Sequence, residues 1–317
     1  MKENLFDLSI IIVSFNTRDL TRQCLQSIYK NTDRIRFEIW VIDNGSSDGS
    51  AEMIEREFPD VNLIRNKNNR GLAAATNQGL EKSEGRYVLT LNSDTVILPD
   101  TFEKLVRFMD LHPEAGAATP RLVLEDGSPH SNFIGKLPTL KSDLLGVLCR
   151  TRLANKLQGL LSNACYGNWT DYSRTQEVPF ILWGTCFVVR RDVLKTVGLQ
   201  DPRFFVYSED WDWALRIVKS GWKLYYVADA TIIHFGGLST KQSSGKMNAQ
   251  FWKSRCRVLQ KHSGLMAGLT LRTAVILIFG LKILKLFIFS TCRSSESLMN
   301  KTSMRQMQEI IRAVLTY

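Results

Sequence analysis

Apolar and polar positions along the first 120 residues follow two rhythms that take turns. Short continuous apolar runs, Ile10 to Val13, Phe37 to Ile42, Val61 to Ile64, Arg86 to Leu91 and Ala115 to Thr119, have the length and β-branched content of buried strands. Between them lie segments with helical spacing. Thr17 to Tyr29 carries Leu20, Cys24, Ser27 and Ile28 on one face with Thr17 as an expected N-cap, Ser50 to Phe58 is stopped by Pro59, and Leu72 to Lys82 and Asp100 to Leu111 complete the series. Strand and helix in turn predict an α/β fold with a mostly parallel central sheet covered by helices on both faces.

The rhythm weakens over residues 126–178, where Gly127, Pro129, Gly135 and Pro138 punctuate short apolar clusters, as in an insertion that carries acceptor specificity. It resumes with a strand at Thr185 to Val189, a helix from Asp192, another over Asp210 to Lys219, and two short edge strands, Trp222 to Val227 and Thr231 to Ile233. A basic helix is expected from Met247 to His262. The most apolar stretch follows, Leu265 to Phe289, but its uncharged core, Thr273 to Leu281, is nine residues long, far short of the ~20 that span a bilayer. On a helix its cations Arg272, Lys282 and Lys285 fall within about 140° of arc. That pattern predicts a helix lying in a membrane interface with its basic groups reaching anionic headgroups; a tilted span, a hairpin and a buried core helix are the alternatives.

Composition narrows the class. With 317 residues and 44% hydrophobic content the chain has enough apolar material for one or two domains. Six scattered cysteines without a Cys-x-x-Cys pair predict reduced thiols and no structural zinc, and the N-terminus lacks the features of a secretory signal, which points to the cytosolic side. The net charge of +10 is unevenly placed: thirteen Lys and Arg face two acids from Ser239 onward, so the preceding 238 residues are near neutral at −1. A neutral body with a basic tail does not match a nucleic-acid binder. The expected division is a 1–240 domain, with a nucleotide-binding half (1–120) and an acceptor and catalytic-base half (121–240), followed by a basic helical tail at 241–317 with its interfacial segment at 265–289.

The candidate chemistry sits where apolar runs stop. Tyr87 to Leu91 ends on Asn92-Ser93-Asp94-Thr95, which places Asp94 at the carboxyl rim of the sheet, where open α/β folds bind ligands. A carboxylate there suits a divalent metal that phosphates also hold, although Asn-Ser-Asp is also a good turn or helix cap. Ser14-Phe15-Asn16 and Asp43-Asn44-Gly45-Ser46-Ser47-Asp48-Gly49 are similar polar switches; Asp43 suits a base N–H or ribose hydroxyl, Asp48 a helix cap. Asn69-Arg70-Gly71 opens a helix with groups suited to an anion or ribose. In Ser208-Glu209-Asp210-Trp211-Asp212, crowded carboxylates next to aromatics raise a pKa towards that of a proton acceptor, with capping as the alternative role. His234 is a candidate metal ligand or a structural histidine. Dinucleotide-binding and Walker fingerprints are missing, which argues against a dehydrogenase or an ordinary ATPase.

In this order, Val41 to Gly49, Asn69 to Gly79, Leu91 to Thr95 and Trp183 to His234 resemble the family 2 glycosyltransferases of the GT-A fold, especially the bacterial rhamnosyltransferase-like branch of O-antigen and cell-envelope polysaccharide synthesis. The resemblance runs from Leu8 to about Thr240. It implies that Ser14, Asn16, Asp43 and Asn69 contact the nucleoside, that Asn92 and Asp94 occupy the Asp-x-Asp metal motif with its first acid replaced, that His234 shares an Mg2+ or Mn2+ ion with Asp94, and that Asp210 of the Glu209-Asp210 pair is the catalytic base. Trp183, Gly184 and Asp212 would line the sugar or acceptor pocket. The implied activity is an inverting transfer of a sugar, rhamnose first, from a dTDP- or UDP-sugar to a polyprenyl-diphosphate-linked glycan at the anionic cytoplasmic face of the inner membrane. A nucleotide-sugar binding protein without turnover and a nucleotidyltransferase of similar fold are the competing readings; the latter lacks a Gly-rich basic loop after the first strand.

Overall fold

A computed structural model describes residues 5–130, 139–149, 171–181, 184–236, 244–290 and 297–316. The elements run β1 (Leu8–Ser14), α1 (Arg18–Asn31), β2 (Phe37–Asp43), α2 (Ser50–Glu57), β3 (Asn62–Arg65), α3 (Leu72–Lys82), β4 (Tyr87–Asn92), β5 (Thr95–Ile97), α4 (Thr101–Leu111) and β6 (Ala115–Val123). They continue as α5 (Leu140–Cys149), β7 (Gln176–Val178), β8 (Cys186–Arg190), α6 (Arg191–Val197), α7 (Glu209–Lys219), β9 (Lys223–His234), α8 (Ser244–Ser263), α9 (Leu265–Ser290) and α10 (Ser297–Leu315). The strands form one mixed sheet in the order β3-β2-β1-β4-β8-β6-β9-β5, with β7 also paired to β9.

The half built from β3, β2, β1 and β4 is parallel, as the alternating pattern requires. Beyond β4 the direction changes: β8 runs antiparallel to both β4 and β6, and β5 and β7 run antiparallel to β9. The two short edge strands expected near residues 222 and 231 are one strand, β9, which follows β6 through two register irregularities. A bulge absorbs the break that Ala228 and Asp229 make in the apolar pattern. Thr17 does not cap α1 with its side chain; its hydroxyl instead joins those of Ser14, Thr21 and Ser93.

Fully buried Leu8, Ile10 and Ile12 of β1, Val41 and Ile42 of β2, and Val88 and Leu89 of β4 form the middle of the sheet. Such runs, buried on both faces, are why these strands read as continuous apolar segments. Among the described cysteines Cys24, Cys186 and Cys256 are free thiols. Burial pushes the Cys24 thiol up to about 12, so it stays protonated and inert.

The chain separates into two compact units. The first holds the sheet with α1–α4, α6 and α7. The second holds α5, α8, α9 and α10 together with Val206–Ser208, so part of the segment expected inside a 1–240 domain groups with the C-terminal helices. Its core gathers Val147, Trp252, Leu259, Leu271, Val275, Phe279, Ile310 and Val314. Inside it, Arg255 of α8 is ion-paired with Asp143 of α5, both almost wholly excluded from solvent.

Candidate active site

Register alone assembles one rim. Ser14 pairs with Asp43 across β1 and β2, and Val13 pairs with Asn92 across β1 and β4, so three strand ends finish side by side. Asp43 is buried: one carboxylate oxygen accepts the Ser46 N–H at 3.2 Å, and the other has no hydrogen-bond partner. A buried acceptor left open at a rim suits a ligand donor. Asn16 adopts φ 53° and its side-chain oxygen accepts the Ser47 N–H at 2.9 Å, fastening the loop after β1 to the loop after β2. Asp48 accepts from Arg18 and Ser50 as a cap.

Two residues expected at the nucleoside also hydrogen-bond within the scaffold. Ser14 is completely buried, with its hydroxyl among those of Thr17 and Thr21. The Asn69 side-chain oxygen accepts from Asn44 and from the Gly71 N–H. It belongs to an amide lattice in which Asn44 also takes the Arg70 N–H and the Asn66 side chain. Gly71, at φ 85°, is required there, because a Cβ would meet the Phe205 carbonyl oxygen at 2.6 Å.

Asp94 is 3% exposed, and its carbonyl accepts the Phe235 N–H. Antiparallel pairing of Thr95 with His234 sets the imidazole next to that carboxylate, Nε2 to Oδ1 3.5 Å. Neither ring nitrogen of the buried His234 has a hydrogen-bond partner. A buried imidazole without partners, facing a carboxylate beyond hydrogen-bond range, is a donor set fit for a shared cation. Among the described residues no three His, Cys, Asp or Glu side chains form a metal cage, so the ion would need ligand oxygens from a substrate.

The catalytic-base candidate reaches the same rim through two hydrogen bonds. The Asn92 N–H donates to the Thr185 carbonyl at 2.9 Å, and the adjacent Gly184 N–H donates to Asp210 Oδ2 at 2.8 Å. Gly184 touches the acid so closely that a Cβ there would lie 2.8 Å from the Asp210 Cβ. The Trp211 N–H holds the other oxygen at 2.8 Å. Asp210 at the start of α7 is thus oriented from both sides and partly open. Tyr207 and Ser208, just before it, both have positive φ, a strain of the kind found at functional sites.

The neighbouring acids differ. Asp212, expected at the acceptor, is fully buried and paired with Arg216 at 2.9 Å, and Arg216 also binds backbone carbonyls ahead of α7. That arrangement makes Asp212 an anchor of the helix. Glu209 is buried, and burial followed by the Asp210 charge raises its pKa well above 4.5, which favours its protonated form. Below pH 4.5 the folded and unfolded states both hold that proton; above it only the folded state does, and stability falls as pH rises towards the folded pKa. Glu209→Gln is therefore expected to be more stable than the parent at neutral pH, with the difference vanishing near pH 4, as urea titrations at several pH values would show. Trp183 lies outside the described residues.

His130 lies next to His234, outside the residues the sequence pattern points to. Its ring faces that of His234, with centroids 5.4 Å apart and 25° between planes. A tight reversal after β6 carries it there, with the His130 N–H donating to Leu122. The signal in the sequence was Asp126-Gly127 followed three residues later by an imidazole.

The glycosyl transferase family 2 model matches residues 9–198. The chain belongs to glycosyl transferase family 2. Across 276 residues, 81% of this chain and 85% of the relative, it is 27% identical to an N-acetylglucosaminyl-diphospho-decaprenol L-rhamnosyltransferase of Mycobacterium tuberculosis. A putative teichuronic acid biosynthesis glycosyltransferase, TuaG, of Bacillus subtilis is 30% identical over 43% of this chain and 55% of its own. Among solved structures, the mannosyltransferase PcManGT of Pyrobaculum calidifontis, in complex with GDP-Man and Mn2+, superposes with a TM-score of 0.55 at 16% identity, over 98% of this chain and 86% of that one. GalNAc-T7 with UDP, GalNAc and Mn2+ superposes with a TM-score of 0.57 at 19% identity, over 82% of this chain, which spans about half (48%) of that longer chain. The sheet unit has the GT-A fold, and the protein is a glycosyltransferase.

Proposed function

We propose that this family 2 enzyme is an inverting glycosyltransferase that moves a deoxyhexose, rhamnose first, from a dTDP-sugar, with UDP-sugars next, to a polyprenyl-diphosphate-linked glycan. The observation that carries the reading is the pair of hydrogen bonds from Asn92 through Thr185 and Gly184 to Asp210, which ties the base to the strand end that bears Asp94. The rhamnosyltransferase relative, matched over most of both chains, supports the choice of donor and lipid-linked acceptor.

Asp210 accepts the proton of the acceptor hydroxyl as its oxygen bonds to the anomeric carbon; the bond from that carbon to the phosphate oxygen breaks, and the nucleoside diphosphate leaves from the opposite face. One displacement inverts the configuration. The open oxygen of Asp43 takes a base or ribose donor, and Asn16 keeps the two loops around the nucleoside in place. Asp94 and His234 would hold Mg2+ or Mn2+, which when bound neutralises the charge building on the departing diphosphate. With Asn92 in place of an acid, the protein offers one carboxylate to the ion, so the ion and the nucleotide bind as a unit. The basic C-terminal segment keeps the enzyme peripherally on the cytoplasmic face of the inner membrane, where anionic headgroups and the lipid-linked acceptor of an O-antigen or related polysaccharide lie.

A panel of nucleotide sugars, read by thermal stabilisation and slow donor hydrolysis with and without Mn2+, tests the reading. Asp94→Asn and His234→Ala should each weaken Mn2+-dependent binding of the matching nucleoside diphosphate by about 10-fold or more while leaving metal-free nucleotide binding nearly unchanged. Calorimetric titrations measure both. Release of pyrophosphate from a nucleoside triphosphate would move the protein to the nucleotidyltransferases.

A further inference from the structure

Among the described residues, the largest run of exposed apolar side chains lies on α9 in the C-terminal unit. Leu265, Met266, Leu277, Leu281, Leu284 and Phe287 are each 54–73% exposed, and at 100° per residue they share one arc of about 160°. The helix is roughly 39 Å long at 1.5 Å per residue, so this is a stripe along its whole length. No charged side chain falls on it. The hydroxyl of Thr270, which does, donates to the Met266 carbonyl at 2.8 Å within the helix, so it carries its hydrogen bond with it out of water.

The arc that holds Arg272, Lys282 and Lys285 also carries the buried Leu271, Val275 and Phe279. Arg272 donates to the Leu315 carbonyl of α10, and the Lys282 ammonium lies 5.3 Å from the Phe279 ring centroid. The helices α8, α5 and α10 cover that side. The outward side carries no charge, its polar side chains being those of Thr270 and Thr273, and among the described residues no helix is long and apolar enough to cross a membrane.

We infer that this stripe of α9 inserts lengthwise into the outer part of an anionic bilayer, as a keel, while the cations behind it and on α8 and α10 stay at headgroup level. The inference rests on the membrane reading above and adds the face and the depth. Charge selects the occupant: the chain from Ser239 onward carries +11, which complements anionic lipid, whereas a second copy docked through the same face would set two such segments against each other. An apolar patch of this extent on a single helix is rare unless something covers it.

The test uses the full chain and vesicles of phosphatidylcholine with or without phosphatidylglycerol. Wild type should sediment with the anionic vesicles, and Leu277→Asp/Leu281→Asp/Leu284→Asp should bind on the order of 100-fold more weakly while still hydrolysing donor. In the otherwise unchanged chain, Leu281→Trp should give a blue-shifted emission on adding anionic vesicles, a readout that does not depend on the triple variant folding. Undiminished vesicle binding by a folded triple variant, no shift from Leu281→Trp on bound protein, or a wild-type dimer that the triple variant dissociates would overturn the keel. Absence of wild-type binding to any vesicle would instead overturn the membrane reading itself, leaving the glycosyltransferase chemistry standing.

Discussion

Asp210→Asn is expected to lower sugar transfer by roughly 1,000-fold, within the range that general-base catalysis supplies, and to leave donor affinity within about a factor of two. The Gly184 N–H and the Trp211 N–H donate to the two oxygens of Asp210. An Asn side chain keeps one of those bonds through its oxygen and sets its NH2, a donor, against the other N–H, so the donor titration also reports whether α7 stays seated. Initial rates of transfer and calorimetric donor titrations give the two numbers. A protein that only binds nucleotide sugars would lose neither, and a drop in donor affinity as large as the drop in rate would move Asp210 from proton acceptor to binding group.

The largest loss of stability is expected in the C-terminal unit. Asp143→Ala leaves the Arg255 guanidinium, 1% exposed, without the carboxylate that neutralises it, and breaking such a pair costs about 3–5 kcal/mol. Replacing both partners, Asp143→Leu with Arg255→Met, should restore most of that, because two apolar chains of similar bulk need no desolvation of charge. Urea midpoints for the two variants and the parent decide it. If Asp143→Ala were as stable as the double variant, the pair would carry no such cost.

Much of the sheet unit was legible because its parallel half obeys a local rule. β1, β2 and β4 are buried on both faces, so each reads as an unbroken apolar run that ends in a polar rim residue, and Asp43, Asn92 and Asp94 could be placed without knowing any contact. The proposed base stood out for a different reason: adjacent acids and aromatics at a helix start draw attention to Asp210 in the sequence. What the sequence did not disclose depends on partners far along the chain. Asp212 and Glu209 look alike in sequence, yet Arg216 neutralises one and burial favours the protonated form of the other. Ser14 and Asn69 are of the right type to meet a nucleoside, and their neighbours engage the Ser14 hydroxyl and the Asn69 side-chain oxygen. His130 was missed because its meaning comes from a ring more than a hundred residues away. The burial of part of the α9 cation arc under α5, α8 and α10 was not legible, because helical spacing places residues on an arc without saying which arc its neighbours will cover.

The position of β8 between β4 and β6 also bears on how the molecule is made. A ribosome that has delivered the first hundred residues has supplied β1 to β5, but the outer edge of β4 stays bare until Cys186–Arg190 emerges. For that interval the nascent chain presents an apolar strand of six residues with open amides and carbonyls, the kind of edge that pairs with strangers. Synthesis of this enzyme therefore has a vulnerable window about ninety residues wide, and holdase chaperones that recognise extended apolar segments have their natural target there.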